Sequence, residues 1–486
     1  MDNSYANMYR SLFEFLTADP IQKQWLLGRS APGQDEGRGV LESPPQEMTA
    51  EQQAVFQKML CSRDYFLLWG PPGTGKTSVM LKHVAGHWLA HESGNLLILA
   101  FTNRAVDEIC AAIESNGPEA REQYLRIGSR YSTAPAFQDR LLSVQSEQQP
   151  QTRKSLLELV QKHRIIVGTV ASISGKPELF KLKVFDRAVV DEASQIPEPM
   201  LIGLLTRFAH VTLIGDHKQL PAVVAQPEAW SAVEDPALNE LGLHNLRNSL
   251  FERLYRRCQA RGWEHAYACL SHQGRMHQDI MAFPNRFFYE GRLQTLPEGN
   301  AGFFAQVARE LFPQSVCTNA FEAALAQNRM IFVPVPSEPG PGTKKTNVAE
   351  AEAAARICIR LKALYGRCGR TWQAGSLGVI TPYRAQIAQI RHALQSFGFE
   401  GDYPTIDTVE RYQGGARDAI VLSLCAHSER QLRSIGSFSE EGVDRKLNVA
   451  LTRARELLIV LGDPEVLSKV ELYRNLISNC LLINNL

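Results

Sequence analysis

With 486 residues the chain is long enough for two or three domains, and 44% hydrophobic and 21% charged residues suit a soluble globular protein with buried cores. Its net charge of +1 gives no bulk sign of a nucleic-acid binder, so any such role has to rest on motifs. No apolar run approaches the roughly 18–20 residues that span a bilayer, MDNSYANMYR has no basic stretch followed by an apolar one, and nine cysteines without a CxxC pair argue against a zinc ribbon or a disulfide framework.

These exclusions point to a cytoplasmic protein without a membrane partner, a nuclear location being also compatible. In chain order, Ser4–Leu27 reads as helical, with apolar residues at Tyr9, Leu12, Phe13, Phe15 and Leu16. Arg29–Glu47 is rich in Gly, Pro and charge and reads as an exposed linker. Short apolar strands then alternate with amphipathic stretches, at Tyr65–Trp69, Leu96–Ala100, Arg164–Val167, Arg187–Val190 and Val211–Ile214. The polar stretch between Ala105 and His163 is too long for a simple connection and reads as a small helical insertion, about 108–162. The rhythm restarts with strands at Met330–Val333, Ser376–Ile380, Ala419–Leu424 and Leu457–Leu461. An α/β fold of two units in series follows, each a mostly parallel sheet flanked by helices. The expected divisions are residues 1–47, 48–262 and 263–486.

Gly70-Pro71-Pro72-Gly73-Thr74-Gly75-Lys76-Thr77 follows an apolar strand and opens a helix, the setting that a P-loop requires. Successive backbone N–H groups of such a loop cradle a phosphate chain, Lys76 sits on the β/γ-phosphates of ATP, and the Thr77 hydroxyl coordinates Mg²⁺. Asp191 and Glu192 end a β-branched strand, where two carboxylates are costly without a cation. Asp191 suits a Mg²⁺ site and Glu192 can take a proton from an attacking water.

With these motifs in order, the chain resembles superfamily 1 helicases of the branch containing the nonsense-mediated-decay and Okazaki-flap-processing enzymes, from Met48 to about Asp463. Gln52 looks like the Q-motif glutamine that reads adenine. Phe101-Thr102-Asn103 resembles motif Ia, whose residues touch the nucleic-acid backbone, and Gly168-Thr169 resembles motif Ic. Gly215 to Pro221 matches motif III, in which Gln219 would sense the γ-phosphate. Gln273-Gly274-Arg275 resembles motif IV, Tyr412-Gln413-Gly414 motif V, and Leu447 to Arg455 motif VI. The resemblance implies two tandem RecA-like P-loop NTPase domains with ATP between them, Gly414 at the nucleotide, Arg275 and Arg453 reaching the γ-phosphate, and 5′→3′ movement on single-stranded DNA or RNA.

Two positions depart from that pattern. Gly274 replaces an aromatic residue that can stack on the base, and Ala416 replaces a carboxylate near the ribose. Weak base and sugar discrimination is therefore expected. An accessory barrel that such helicases carry before the Q-motif has no counterpart here, so further domains or protein partners would supply a barrel or a nuclease. The leading reading is an ATP-dependent helicase or translocase. The alternative is a nucleotide-dependent clamp that binds nucleic acid without unwinding it. Weaker features are His83, His87 and His91 on one helix face, read as a partly exposed stripe rather than a metal site. Trp69 and Trp88 are read as core.

Overall fold

The computed structural model describes residues 3–35, 45–150, 152–224, 226, 230–337, 344–412, 415–439 and 441–484. The chain divides into two compact units, Met1–His217 with Pro221–Ser271, and Lys218–Leu220 with His272–Leu486.

The first unit is built on seven strands: β1 Asp64–Trp69, β2 Leu96–Ala100, β3 Tyr124–Ile127, β4 Ile165–Thr169, β5 Arg187–Val190, β6 His210–Gly215 and β7 Tyr267–Cys269. They lie in the order β3-β4-β2-β5-β6-β1-β7, and every neighbouring pair is parallel. Burial on both faces explains why β1, β2 and β5 read as continuous apolar runs rather than alternating ones. Trp69 and Trp88 are both buried.

The second unit opens with the short pair β8 His272–Gln273 and β9 Gln294–Thr295. Its main sheet comprises β10 Met330–Pro334, β11 Leu377–Ile380, β12 Thr405–Asp407, β13 Arg417–Ser423, β14 Ala454–Gly462 and β15 Leu481–Leu482. The order is β12-β11-β13-β14-β10-β15, again parallel throughout. The helix Val348–Arg367 covers one face, its closely spaced alanines Ala351, Ala354 and Ala355 sharing one core with Val379, Val421 and Ile459. Among the described residues no helix is long and apolar enough to cross a membrane.

Three segments differ from the sequence reading. The stretch 108–162, expected as a helical insertion, supplies β3, an edge strand paired with β4 from Tyr124 to Ile127. Arg126 hides this strand from a hydropathy reading, but its side chain is fully buried and ion-paired with Asp107. The first sheet also runs past the expected division at 262/263. The helix Leu250–Arg261 stops at Gly262, whose φ of 68° is left-handed, and the chain returns along β1 as β7. Lys58 Nζ donates to Tyr267 O at 2.9 Å and fixes that return. Finally, the N-terminal helical stretch is two helices, Asn3–Thr17 and Pro20–Leu26, broken where Asp19 caps the second and Pro20 begins it.

The helix Asn3–Thr17 packs in an unexpected sense. Its apolar residues Tyr9, Phe13 and Leu16 are exposed, and it meets the helix Glu198–Leu205 through Ser11, whose Oγ accepts from Gly203 N at 2.9 Å. Arg207 pairs with Glu14 at 2.6 Å and Arg10 donates to Ser174 O, completing the contact. A Cβ at Gly203 would lie 1.8 Å from Ser11 O, so only glycine permits this approach. Gly203→Ala is expected to lower stability by about 1–3 kcal/mol, read as a lower thermal midpoint. An unchanged midpoint would show that this helix adds nothing to the unit.

Candidate active site

β1 delivers the chain into the loop Gly70–Thr77, and Gly75, at φ 84°, turns it into the helix that follows. That helix starts with a widened turn in which Met80 N donates to Gly75 O and Lys82 N to Thr77 O. Within the loop Thr74 Oγ1 donates to Pro71 O at 2.8 Å, and Lys76 Nζ donates to Gly70 O. Gln52 braces the loop from below. Its Nε2 donates to Thr74 O at 3.1 Å, while its Oε1 accepts from Thr49 N in a reciprocal cap of the helix Ala50–Leu60. Both ends of the Gln52 amide are thus engaged with the protein in this structure.

The loop meets the end of β5. Thr77 Oγ1 donates to Asp191 Oδ2 at 2.8 Å, and Glu192 N donates to Asp191 Oδ1 at 2.8 Å. Asp191 is 2% exposed, and burial, with the Glu192 charge beside it, pushes its carboxyl up to about 6. Glu192 is a non-glycine residue at φ 53°, a conformation that the surrounding structure must enforce. Its carboxylate accepts from Gln195 Nε2 at 2.7 Å. A buried carboxylate joined to a threonine hydroxyl, with a second carboxylate adjacent, is a hard-oxygen donor set that fits Mg²⁺.

Sequence reasoning missed the pair Trp69 Nε1 to Asp216 Oδ1, 2.9 Å, and Ser194 Oγ, which accepts from Asp216 N at 3.2 Å. The signal was the parallel register that sets Trp69 against Gly215, one residue before Asp216. Thr102 and Thr169 both cap helices, at the C-terminal ends of the neighbouring strands β2 and β4.

In the second unit, Arg453 donates to Gln219 Oε1 at 3.1 Å, and Arg275 donates to Thr452 O at 3.3 Å, so Gln219, Arg275 and Arg453 lie close together. Asn448 Nδ2 holds the Gln219 segment by donating to Lys218 O at 2.7 Å. Gly274 lies beneath Leu296, where a Cβ would meet its Cδ1 at 2.8 Å. Gly414 falls outside the described residues.

A glycine-rich loop between strand and helix, tied through Thr77 to a buried aspartate, is a P-loop nucleotide-binding arrangement, here in a chain of two parallel α/β units. Two AAA-domain families match the chain, one over residues 47–155 and 138–227, the other over 246–465. The DNA replication ATP-dependent helicase/nuclease DNA2 of Bos taurus is 30% identical over 441 residues, covering 88% of this chain and 38% of that protein. The regulator of nonsense transcripts 1 homolog of Neurospora crassa is 30% identical over 465 residues, covering 89% and 38%. The chain therefore spans well under half the length of these relatives. Among solved structures, S. cerevisiae Dbp5 bound to RNA and ADP BeF3 aligns with a TM-score of 0.46 and 11% identity over 97% of this chain and 95% of that one, a likeness too low to bear on the assignment. Between them the two domain models match most of the chain, which belongs to the superfamily 1 helicase family, in the branch of the nonsense-mediated-decay and Okazaki-flap-processing enzymes.

Asp191 makes a pH test possible. Its folded pKa of about 6 lies above the unfolded value of about 4, so between these values the folded protein binds the proton more tightly. Its contribution to stability is full below about pH 4 and is lost as the pH rises to about 6. Without divalent cation at pH 7.5, Asp191→Asn should be more stable than the parent by on the order of 3 kcal/mol. The gain should shrink at pH 5. Thermal unfolding in a chelator at both pH values checks this, and a gain independent of pH would contradict it.

Proposed function

We propose that this chain binds and hydrolyses ATP and uses the cycle to move along or unwind single-stranded DNA or RNA. The observation that carries the reading is the 2.8 Å bond between Thr77 Oγ1 and Asp191 Oδ2, which joins phosphate loop and acidic strand end in one site. Backbone N–H groups of Gly70–Thr77 and the Lys76 ammonium bind the β/γ-phosphates. Thr77 and Asp191 hold Mg²⁺, which when bound supplies positive charge to those phosphates. Glu192, oriented by the Gln195 amide, accepts the proton of the attacking water. Gln219, Arg275 and Arg453 supply hydrogen bonding and positive charge to the transferring phosphoryl group, and the Arg453–Gln219 bond supports their acting together. Thr102 and Thr169, in motifs Ia and Ic, are the first candidates for contact with the nucleic-acid backbone.

Cytoplasmic or nuclear placement belongs to the same proposal. So do further domains or partners that supply an accessory barrel or nuclease; relatives named as helicase/nuclease, of which this chain spans 38%, support that part.

Steady-state ATP hydrolysis measured with and without single-stranded DNA or RNA tests the reading. Stimulation by one polymer is expected, and Glu192→Gln should lower the stimulated rate by about 10²-fold or more. Rates indifferent to both polymers would count against a nucleic-acid motor, and directional displacement of a protein bound to the strand separates a motor from a clamp.

Gly274 and Ala416 strip contacts from the nucleoside while leaving the phosphate residues in place. ATP and GTP should accordingly be hydrolysed with kcat/KM values within about a hundredfold of one another, a difference under roughly 2.7 kcal/mol. A larger preference for ATP would mean that other groups hold the base.

A further inference from the structure

The helix Asn3–Thr17 turns its polar side to the first unit and its apolar side to solvent. Tyr5, Tyr9, Phe13 and Leu16 are 53–73% exposed, and Leu12 is 38% exposed. At about 3.6 residues per turn, these five fall within about 100° of the helix surface. Ser11 and Glu14, which bond Gly203 N and Arg207, lie on the opposite side. The apolar face cannot roll inward, because the close approach at Gly203 and the Arg207 pair fix the helix's rotation. The helix also lies ahead of every residue assigned to the ATP cycle, which gives that face no task.

The spacing of the stripe says what kind of surface covers it. Tyr5, Tyr9, Leu12 and Leu16 follow one another at four, three and four residues. That alternation is the seam at which two helices interdigitate at a shallow angle. The charge pattern narrows the occupant further. The helix carries two charged residues, Arg10 and Glu14, and both are engaged by the unit, at Ser174 O and Arg207. Ala6, Met8, Phe13 and Phe15, which flank the seam, are uncharged, so an identical face meets no like-charge repulsion. A lipid surface would call for a basic rim, which these positions lack.

We propose that this face binds a second copy of the chain, the helices Asn3–Thr17 of the two copies packing antiparallel about a two-fold axis. Such a contact is self-complementary and closes on itself. Centred on the stripe, it sets Tyr5 of one copy against Leu16 of the other and Tyr9 against Leu12, an aromatic over an aliphatic residue at each step. It also places the helix dipoles head to tail. At roughly 150–200 Å² for a fully exposed side chain of this size, the five residues present on the order of 500 Å² per copy. Two copies then cover about 1,000 Å² of apolar side chain, the floor for a specific interface. An interface of that size gives a dissociation constant on the order of micromolar.

Sedimentation equilibrium of the full chain, from about 0.1 to about 100 μM, reads the mass and the dissociation constant. Tyr9→Glu brings two carboxylates together near the axis, whereas Tyr9→Phe keeps the ring. Tyr5→Lys and Leu16→Glu, measured singly and mixed, test the direction of packing, because only the antiparallel arrangement sets these two positions against each other. ATP hydrolysis without polymer and the thermal midpoint at the lowest concentration should match the parent in Tyr9→Glu, and both serve as fold checks. Flotation with vesicles of phosphatidylcholine and phosphatidylserine tests the lipid alternative.

The parent and Tyr9→Phe are expected to shift from monomer to dimer across this range, and Tyr9→Glu should raise the dissociation constant at least about a hundredfold. Tyr5→Lys and Leu16→Glu should each weaken pairing, and their mixture should pair more tightly than either alone. A parent that stays monomeric throughout overturns the proposal, as does a dimer that survives Tyr9→Glu. A mixture no tighter than its components overturns the antiparallel arrangement. A monomer that floats with the vesicles, and loses this in Tyr9→Glu, assigns the face to lipid and overturns the second copy as its occupant.

Discussion

The bond from Thr77 Oγ1 to Asp191 Oδ2 holds together parts of the first unit that are not neighbours. The phosphate loop follows β1 and the aspartate follows β5, with β6 between them. The bond can form only because the loop passes the end of β6, where Gly70 N donates to Gly215 O at 3.0 Å. Asp216, the next residue, is held from both sides, by the Trp69 indole and by Ser194 of the turn after Glu192. Three strand ends are thus tied to one another by side chains in addition to the sheet ladder. A site of this kind is only as rigid as its ties, and the left-handed backbone at Glu192 persists because they over-determine it.

The second unit solves a similar problem with a buried polar group. Glu350, 0% exposed, accepts from Ser423 Oγ at 2.6 Å and from Cys425 N at 2.9 Å. Asn347, one turn earlier, donates its backbone N–H to Gln386 Oε1 at 2.8 Å. These contacts fix the end of β13, where Cys425 sits at φ 47°. The strand end carrying Leu422 and Leu424 is therefore held by hydrogen bonds at Ser423 and Cys425 as well as by apolar packing.

The sequence carried the fold wherever burial was apolar and two-sided. β2 and β5 lie where the apolar runs begin and end, because nothing polar interrupts them. β3 was not legible because its central Arg126 is neutralised by Asp107, a partner 19 residues away that no local pattern links to it. β7 and β12 have three residues each, too short to show a period. For the site, the motif identified the phosphate loop, but hydrogen-bond allegiance is not written in a motif. Gln52 is an example: its amide is divided between a helix cap and the Thr74 carbonyl, and only the folded chain reveals that.

The widened turn at Lys76–Leu81 alters how the helix behind it is counted. A turn closed by bonds five residues apart accommodates one more residue than an ordinary one. Past Lys82 every side chain is rotated by about 100° from the position that a regular helix starting at Thr77 would give it. In geometric terms the turn takes in one extra residue without a loop. A helical wheel drawn from Thr77 would therefore misassign the faces of Val84 and Trp88, both of which are buried. An alignment against a relative with a straight helix needs a gap inside the helix, immediately after the phosphate loop, to keep these residues in register.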